Sequence, residues 1–98
     1  MRQYKVETSK SFWKEMEAIM EYIGGDLNSP TAAAKFYSKV ISKIKTLSSA
    51  PERTHIIEDY YSVKVSKYRL IYKIYREINT VRILHIWYSR RDIVVLLS

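Results

Sequence analysis

Two cations and a phenol in the C-terminal third of the chain have spacings that could bring them side by side. They lie in segment 61–92, YSVKVSKYRLIYKIYREINTVRILHIWYSRRD, whose alternation predicts three successive antiparallel strands. If residues 66–67 form a two-residue hairpin loop, Lys64 lies opposite Arg69, and an even-numbered loop after the second strand places Arg69 opposite Tyr88. We therefore predict that Lys64, Arg69 and Tyr88 form one row on an open sheet face, the candidate working surface.

The same register divides the three strands into two faces. The mostly apolar face is predicted to pack on helices and contains Val63, Leu70, Tyr72, Ile74, Ile83, His85 and Trp87. The other face contains Lys64, Arg69, Ile71, Lys73, Ile86 and Tyr88. His85 is predicted opposite Tyr72, as a hydrogen-bonded core histidine rather than a catalytic group. A shift of one residue would exchange the faces, so their separation tests the register.

Two amphipathic helices precede these strands and must position them. Residues 4–7 read as a short strand of the same sheet, and a first helix follows from Ser9 or its neighbours to Gly24-Gly25, which we expect to end it in a left-handed cap. Ser29 and Pro30 are typical of the start of a second helix, which reaches about residue 49. Residues 50–60 read as a loop.

These elements predict one α+β domain over residues 1–98, in the order βααβββ. Its antiparallel sheet is packed on one face by the N-terminal helical hairpin. Hydrophobic residues form 47% of the chain, which suits a compact fold, and no apolar run is long enough to span a membrane. We expect a cytoplasmic protein, since the start MRQYKVETSK lacks the apolar core of a signal peptide, and a protein without disulfides, since there is no cysteine.

The charge balance favours polyanionic partners. Seventeen Lys and Arg against ten Asp and Glu give a net charge of +7, with a pI near 9.7. Lys35, Lys39 and Lys43 lie on the second helix, where residues 30–49 contain no acid, so this face is either simply solvated or turned toward a polyanion. The predicted nucleic-acid-binding residues are Lys35, Lys39, Lys43, Lys67, Lys73 and Arg90.

Two strings in this segment carry a family resemblance. Residues 68–72, YRLIY, and then 87–92, WYSRRD, behind two helices, resemble the RelE/ParE superfamily of toxins from type II toxin-antitoxin modules. The match covers essentially the whole chain, and the order and spacing of the strings are more specific than either string alone. The resemblance implies the same fold that the patterning predicts independently.

The resemblance also implies a chemistry for the candidate row. RelE-like members enter the ribosomal decoding site and cut mRNA without a metal or cofactor, by attack of a ribose 2′-OH on the adjacent phosphate. On the matching positions, Lys64, Arg69 and Arg91 would hold the phosphate and stabilise its developing charge. Tyr88 would transfer a proton or stack on an unpaired base.

The C-terminal residues depart from the nuclease pattern. Nuclease members often have a further Tyr or His there, whereas residues 93–98, IVVLLS, have no titratable side chain. ParE-like members, which poison DNA gyrase, do without that catalytic set. We favour mRNA cleavage because Lys64, Arg69, Tyr88 and Arg91 are expected to converge, and we keep gyrase poisoning and a non-toxic basic nucleic-acid-binding domain as alternatives. In either toxin case the resemblance implies an acidic, partly disordered antitoxin as partner.

Overall fold

The computed structural model describes residues 3–90, and this part of the chain forms two long helices and a five-stranded sheet. In chain order the elements are β1 (Lys5–Thr8), α1 (Lys10–Glu21), a π-helical turn (Tyr22–Asp26), α2 (Pro30–Thr46), β2 (Thr54–Ile57), β3 (Tyr60–Val65), β4 (Tyr68–Tyr75), a 3₁₀ turn (Arg76–Ile78) and β5 (Thr80–Tyr88). None of the helices in this part has the length and apolar character that a membrane span requires.

The sheet has the strand order β1-β5-β4-β3-β2 and is mixed. β2, β3, β4 and β5 pair antiparallel with one another in sequence, while β1 pairs parallel with β5. The α+β fold and the helical hairpin before the main strands are confirmed. The predicted βααβββ order with a purely antiparallel sheet was incomplete, because it lacked β2 and the parallel β1–β5 pair.

The helices cover one side of the sheet, which we call the inner face; the opposite side is the outer face. Inner-face strand residues share one buried cluster with helix residues, and its members include Phe12, Met16, Phe36, Val40, Val63, Leu70, Tyr72, Ile74 and Ile83. The predicted packing of Val63, Leu70, Tyr72, Ile74 and Ile83 against the helices is therefore confirmed.

Serine side chains begin both helices, as predicted. The Ser9 hydroxyl accepts a hydrogen bond from the Phe12 backbone N–H at 3.0 Å, which satisfies one of the free donors at the start of α1. The Ser29 hydroxyl accepts from the Ala32 N–H at 3.4 Å, and Pro30 is the first residue of α2.

The end of the first helix differs from the prediction. Gly24 and Gly25 lie inside the π-helical turn that continues α1, and no glycine has a positive φ. The left-handed residue is Asn28, with a φ of 52°. Asparagine tolerates this conformation better than most residues with a side chain, so it reverses the chain and the glycines are not needed for that purpose.

β2 occupies part of the segment that was predicted to be a loop. Thr54 pairs with Ser62 and His55 with Tyr61, before a register shift near Ile57. This strand has four residues and one strand neighbour, since it is the last in the sheet order. The strand is too short to show a clear alternation in the sequence, and Pro, Glu and Asp lie close to it. It takes an extended conformation because it pairs with β3.

The hairpin between β3 and β4 confirms the first half of the predicted register. Val65 pairs with Tyr68 across the two-residue loop 66–67, and Lys64 pairs with Arg69. Ser66 adopts a φ of 58°, the left-handed conformation that such tight loops require.

The buried phenol of Tyr72 predicts a loss of stability at high pH. Its hydroxyl donates a hydrogen bond to the Pro51 carbonyl at 2.6 Å, and burial raises the pKa of Tyr72 to about 12. An unfolded tyrosine ionises near pH 10, so the stabilisation is complete below pH 10 and is lost as the pH rises toward 12. We expect Tyr72 alone to account for a decrease of about 2–3 kcal/mol in the free energy of unfolding over that range.

Tyr72→Phe provides the comparison for this prediction. Urea unfolding of the parent and of the variant at a series of pH values should show the steeper decline only in the parent, because the other tyrosines and lysines titrate in both. At pH 7 the variant should lose about 1–2 kcal/mol, since the Pro51 carbonyl loses its donor. Equal pH slopes in the two proteins would contradict the assignment.

Candidate functional site

The outer face of the sheet is cationic and aromatic. The register places Lys64 opposite Arg69 and Lys73 opposite Arg82 on this face. The Lys73 ammonium lies 5.2 Å from the ring centroid of Tyr60 and 5.1 Å from that of Tyr75. Arg82 pairs with Glu7 on the neighbouring strand, at 3.8 Å. A face of this composition can bind a polyanion through charge and aromatic stacking.

The second half of the predicted register was wrong. Tyr72 pairs with Ile83 but Ile71 pairs with His85, so β5 contains one extra residue, Leu84, between the two pairs. An extra residue of this kind is a β-bulge, and beyond it the alternation of β5 is inverted.

The inversion exchanges the residues at the end of β5 between the faces. Tyr88 pairs with Tyr68 on the inner face, and Arg69 pairs with Trp87 on the outer face. The predicted row of Lys64, Arg69 and Tyr88 is therefore split between two sides of the sheet. Ile86, predicted for the open face, joins the inner core, whereas Trp87 and His85, predicted for the packed face, lie on the outer face.

Ser9 binds the bulge from the start of α1. β1 ends at Thr8, and the Ser9 N–H donates to the Ile83 carbonyl at 2.9 Å. The Ser9 hydroxyl also donates to the Leu84 carbonyl at 2.8 Å. One serine thus caps α1 and also donates hydrogen bonds to two backbone carbonyls of β5, at the point where β1 stops pairing with this strand.

Glu15 on α1 continues this edge contact. Its carboxylate accepts from His85 Nδ1–H at 3.0 Å, from the Ile86 backbone N–H at 3.2 Å and from Trp87 Nε1–H at 2.5 Å. The His85 and Trp87 rings are stacked, with centroids 4.3 Å apart. A carboxylate thus takes the place of a strand partner along this stretch of β5.

The hydrogen bond to Glu15 also determines which ring nitrogen of His85 carries a proton. An ionised carboxylate only accepts, so the hydrogen bond holds the proton on Nδ1 and leaves Nε2 as the acceptor of the neutral ring. No buried side-chain nitrogen or oxygen of the described residues lacks a partner, so Nε2, for which no hydrogen bond is found, is reachable by solvent. Sequence reasoning missed this site because it placed His85 on the wrong face and gave Glu15 no role.

The other predicted catalytic residues differ in their exposure and contacts. Lys64 is exposed, and Arg69 is half-buried and donates to the Ser62 hydroxyl at 3.0 Å. Arg91 lies outside the described residues. Arg90 is exposed in the turn after β5.

Tyr88 lies at a cleft on the inner-face side, between the helices and the β3–β4 loop. The cleft has a volume of about 530 Å³ and is also lined by three of the predicted nucleic-acid-binding residues, Lys35, Lys39 and Lys67. Lys43 lines a different groove together with Val65. The predicted binding lysines therefore belong to three places, since Lys73 lies on the outer face.

Comparison with known proteins identifies a family for this chain. Residues 6–93 match the family model described as the ParE toxin of the type II toxin-antitoxin system parDE. No curated protein sequence matches this chain.

Solved structures share the fold at low sequence identity. The chromosomal ParDE system from P. aeruginosa superposes with a TM-score of 0.74 at 13% identity, over 88% of this chain and 96% of that one. The archaeal RelE-RelB complex from Pyrococcus horikoshii gives 0.64 at 18% identity, over 92% and 99%. The isolated E. coli RelE toxin gives 0.54 at 19% identity, over 96% and 93%. At these identities the likeness extends to the fold alone.

Proposed function

This chain belongs to the ParE toxin family of type II toxin-antitoxin systems, and from that membership we propose that it arrests growth by binding DNA gyrase, without cutting RNA. The observation that carries the proposal is the bulge at Leu84, which separates Tyr88 from Lys64 and Arg69. Groups that act on one phosphodiester must all reach it, whereas side chains on opposite faces of a sheet point apart. The convergence that favoured RNA cleavage is therefore missing from this set.

The outer face is the surface that we propose for target binding. Gyrase holds DNA, and a cationic face such as that of Lys64, Arg69 and Lys73 is attracted to a protein–DNA complex before any specific contact forms. We propose the same surface as one that a cognate antitoxin with acidic segments would cover. Several of the structures with this fold are toxin-antitoxin complexes, among them the archaeal RelE-RelB complex described above, which supports such a partner.

A supercoiling assay tests the proposal directly. Purified full-length protein added to DNA gyrase and relaxed plasmid should block supercoiling. His85→Gln should block it equally, within about twofold, because a binding toxin needs no proton acceptor and the variant keeps a polar side chain at this position and all the lysines and arginines of the outer face. When the same purified protein is added to an in vitro translation system, the mRNA should stay intact. Normal supercoiling with the protein in large excess would overturn the proposal.

The Glu15–His85 pair supports a second candidate, ribosome-dependent mRNA cleavage. A carboxylate that orients a histidine through Nδ1 leaves Nε2 to take a proton from an attacking hydroxyl. Lys64 and Arg69 are on the same face as His85 and could stabilise the phosphate charge. In this candidate His85 has the proton-transfer role that the sequence assigned to Tyr88, and the role of Arg91 stays a prediction because this residue lies outside the described residues.

One variant separates the two candidates. In a reconstituted translation system, cleavage that depends on His85 would fall by about 10²- to 10⁴-fold in His85→Gln, which cannot accept the proton. Arg69→Ala should fall with it. Intact transcripts with the parent protein would exclude this candidate and leave the gyrase proposal standing.

A further inference from the structure

The cleft beside Tyr88 combines exposed aromatic rings with a buried aromatic floor. The Phe36 and Tyr68 rings lie 5.3 Å apart, and the Tyr68 and Tyr88 rings 6.0 Å apart, both in edge-to-face contact. Phe36 is buried, whereas Tyr22 and Tyr88 are 48% and 46% exposed. Two tyrosine rings thus remain available to a ligand at a site that is already partly closed.

The charges around this cleft all have one sign. Lys35 and Lys39 project from α2, and Lys67 belongs to the loop between β3 and β4, so cations come from two separate elements. No Asp or Glu is among the described residues that line the cleft. An unopposed set of lysines around aromatic rings is complementary to a ligand that has both phosphates and flat rings.

The phenol of Tyr68 adds a hydrogen-bond donor to the floor of the cleft. Its partial burial, together with the nearby Tyr22 and Tyr88 phenols, raises the pKa of Tyr68 above the ordinary value. A tyrosine is protonated at neutral pH even at its ordinary pKa, so this phenol can donate a hydrogen bond to a phosphate oxygen or a base.

We propose that this cleft binds a short stretch of single-stranded nucleic acid. Bases stack on the exposed rings of Tyr22 and Tyr88, and the phosphates lie against Lys35, Lys39 and Lys67. The inference goes beyond the proposed action on gyrase, because the cleft is on the opposite side of the sheet from Lys64 and Arg69.

The size of the cleft favours this ligand over an acidic protein helix. Its volume of about 530 Å³ is within the range of small-ligand sites and suits one or two nucleotides. A helix with its side chains is about 10–12 Å across, so it would contact the rim without entering. The exposed rings of Tyr22 and Tyr88 and the three lysines of the lining match the bases and the phosphates of such a ligand.

Fluorescence anisotropy with labelled oligothymidylate and oligouridylate of roughly six nucleotides tests the proposal. Both probes should bind the full-length protein at low salt, and the difference between them shows whether DNA or RNA is preferred. Tyr88→Ala should weaken binding by about 5- to 100-fold, while Tyr88→Phe, which keeps the ring, should stay within about threefold. Lys39→Ala should weaken binding and reduce its salt dependence.

Lys45→Ala is the matched control, because Lys45 is exposed on the same helix and does not line the cleft. It should change the affinity by less than about twofold. Circular dichroism establishes that each variant is folded.

The proposal fails if neither probe binds at low salt, if Tyr88→Ala binds like the parent, or if Lys64→Ala weakens binding while the cleft variants do not. It also fails if an acidic peptide occupies the cleft and the oligonucleotides do not bind. None of these results depends on gyrase inhibition.

Discussion

Replacing Glu15 with alanine is expected to lower the free energy of unfolding by about 2–4 kcal/mol. The carboxylate accepts hydrogen bonds from His85, from the Ile86 backbone N–H and from the Trp87 indole. Ile86 is 1% exposed, so its N–H has little access to water once the carboxylate is removed. Urea unfolding followed by far-UV circular dichroism would measure the loss.

Two control variants make this prediction specific. Glu15→Gln keeps one acceptor oxygen but turns amide hydrogens toward groups that are themselves donors, so we expect an intermediate loss of about 1–2 kcal/mol. Glu17→Ala removes an exposed carboxylate from the same helix and should change stability by less than about 0.5 kcal/mol. A Glu15→Ala protein as stable as the Glu17→Ala protein would show that the edge of β5 does not depend on this carboxylate.

The parts of the fold that local patterning determines were predictable. The β3–β4 hairpin follows from two alternating strands that are neighbours in sequence, and its pairing of Lys64 with Arg69 is confirmed. The helix starts follow from Ser9 and Ser29, whose side chains act within three residues. In each case the residues that decide the conformation lie close together in the chain.

The bulge in β5 was not predictable from β5 itself. Arg82 and His85 are three residues apart, which breaks a strict alternation, but the residues between them, Ile83 and Leu84, are both apolar. Residue type alone therefore does not distinguish an inserted residue from a buried histidine. The groups that bind the bulged strand are Ser9 and Glu15, which are 75 and 70 residues distant from Leu84 and His85. A single extra residue was enough to exchange His85 and Tyr88 between the faces.

The candidate site shows the same division between local and distant causes. Lys64 and Arg69 keep their predicted face because the hairpin that joins them is local. The cleft at Tyr88 requires α2 and the β3–β4 loop to meet, which no spacing within one element specifies. The catalytic and nucleic-acid-binding roles assigned from the sequence stay predictions until variants are measured.

Reversing two charges on the outer face should weaken inhibition of gyrase by about 10- to 100-fold. The double variant Lys64→Glu/Arg69→Glu replaces two neighbouring cations by carboxylates at the centre of the surface that we propose for target binding. Repulsion from the bound DNA then opposes association over distances of about a Debye length, roughly 10 Å at 0.1 M salt. The loss should therefore shrink as the salt concentration of the supercoiling assay is raised.

Lys10→Glu/Lys14→Glu is the control for that experiment, since both lysines are exposed on α1 and the net charge changes by the same amount. If it retains most of the inhibition, the position of the charges on the outer face matters, and not the total charge alone. If both double variants lose the same amount of gyrase inhibition, the effect is due to the total charge of the protein and general electrostatic attraction. If the folded Lys64→Glu/Arg69→Glu protein inhibits gyrase fully, the outer face is not the surface that contacts the target, because a complementary surface does not tolerate such a charge reversal at its centre.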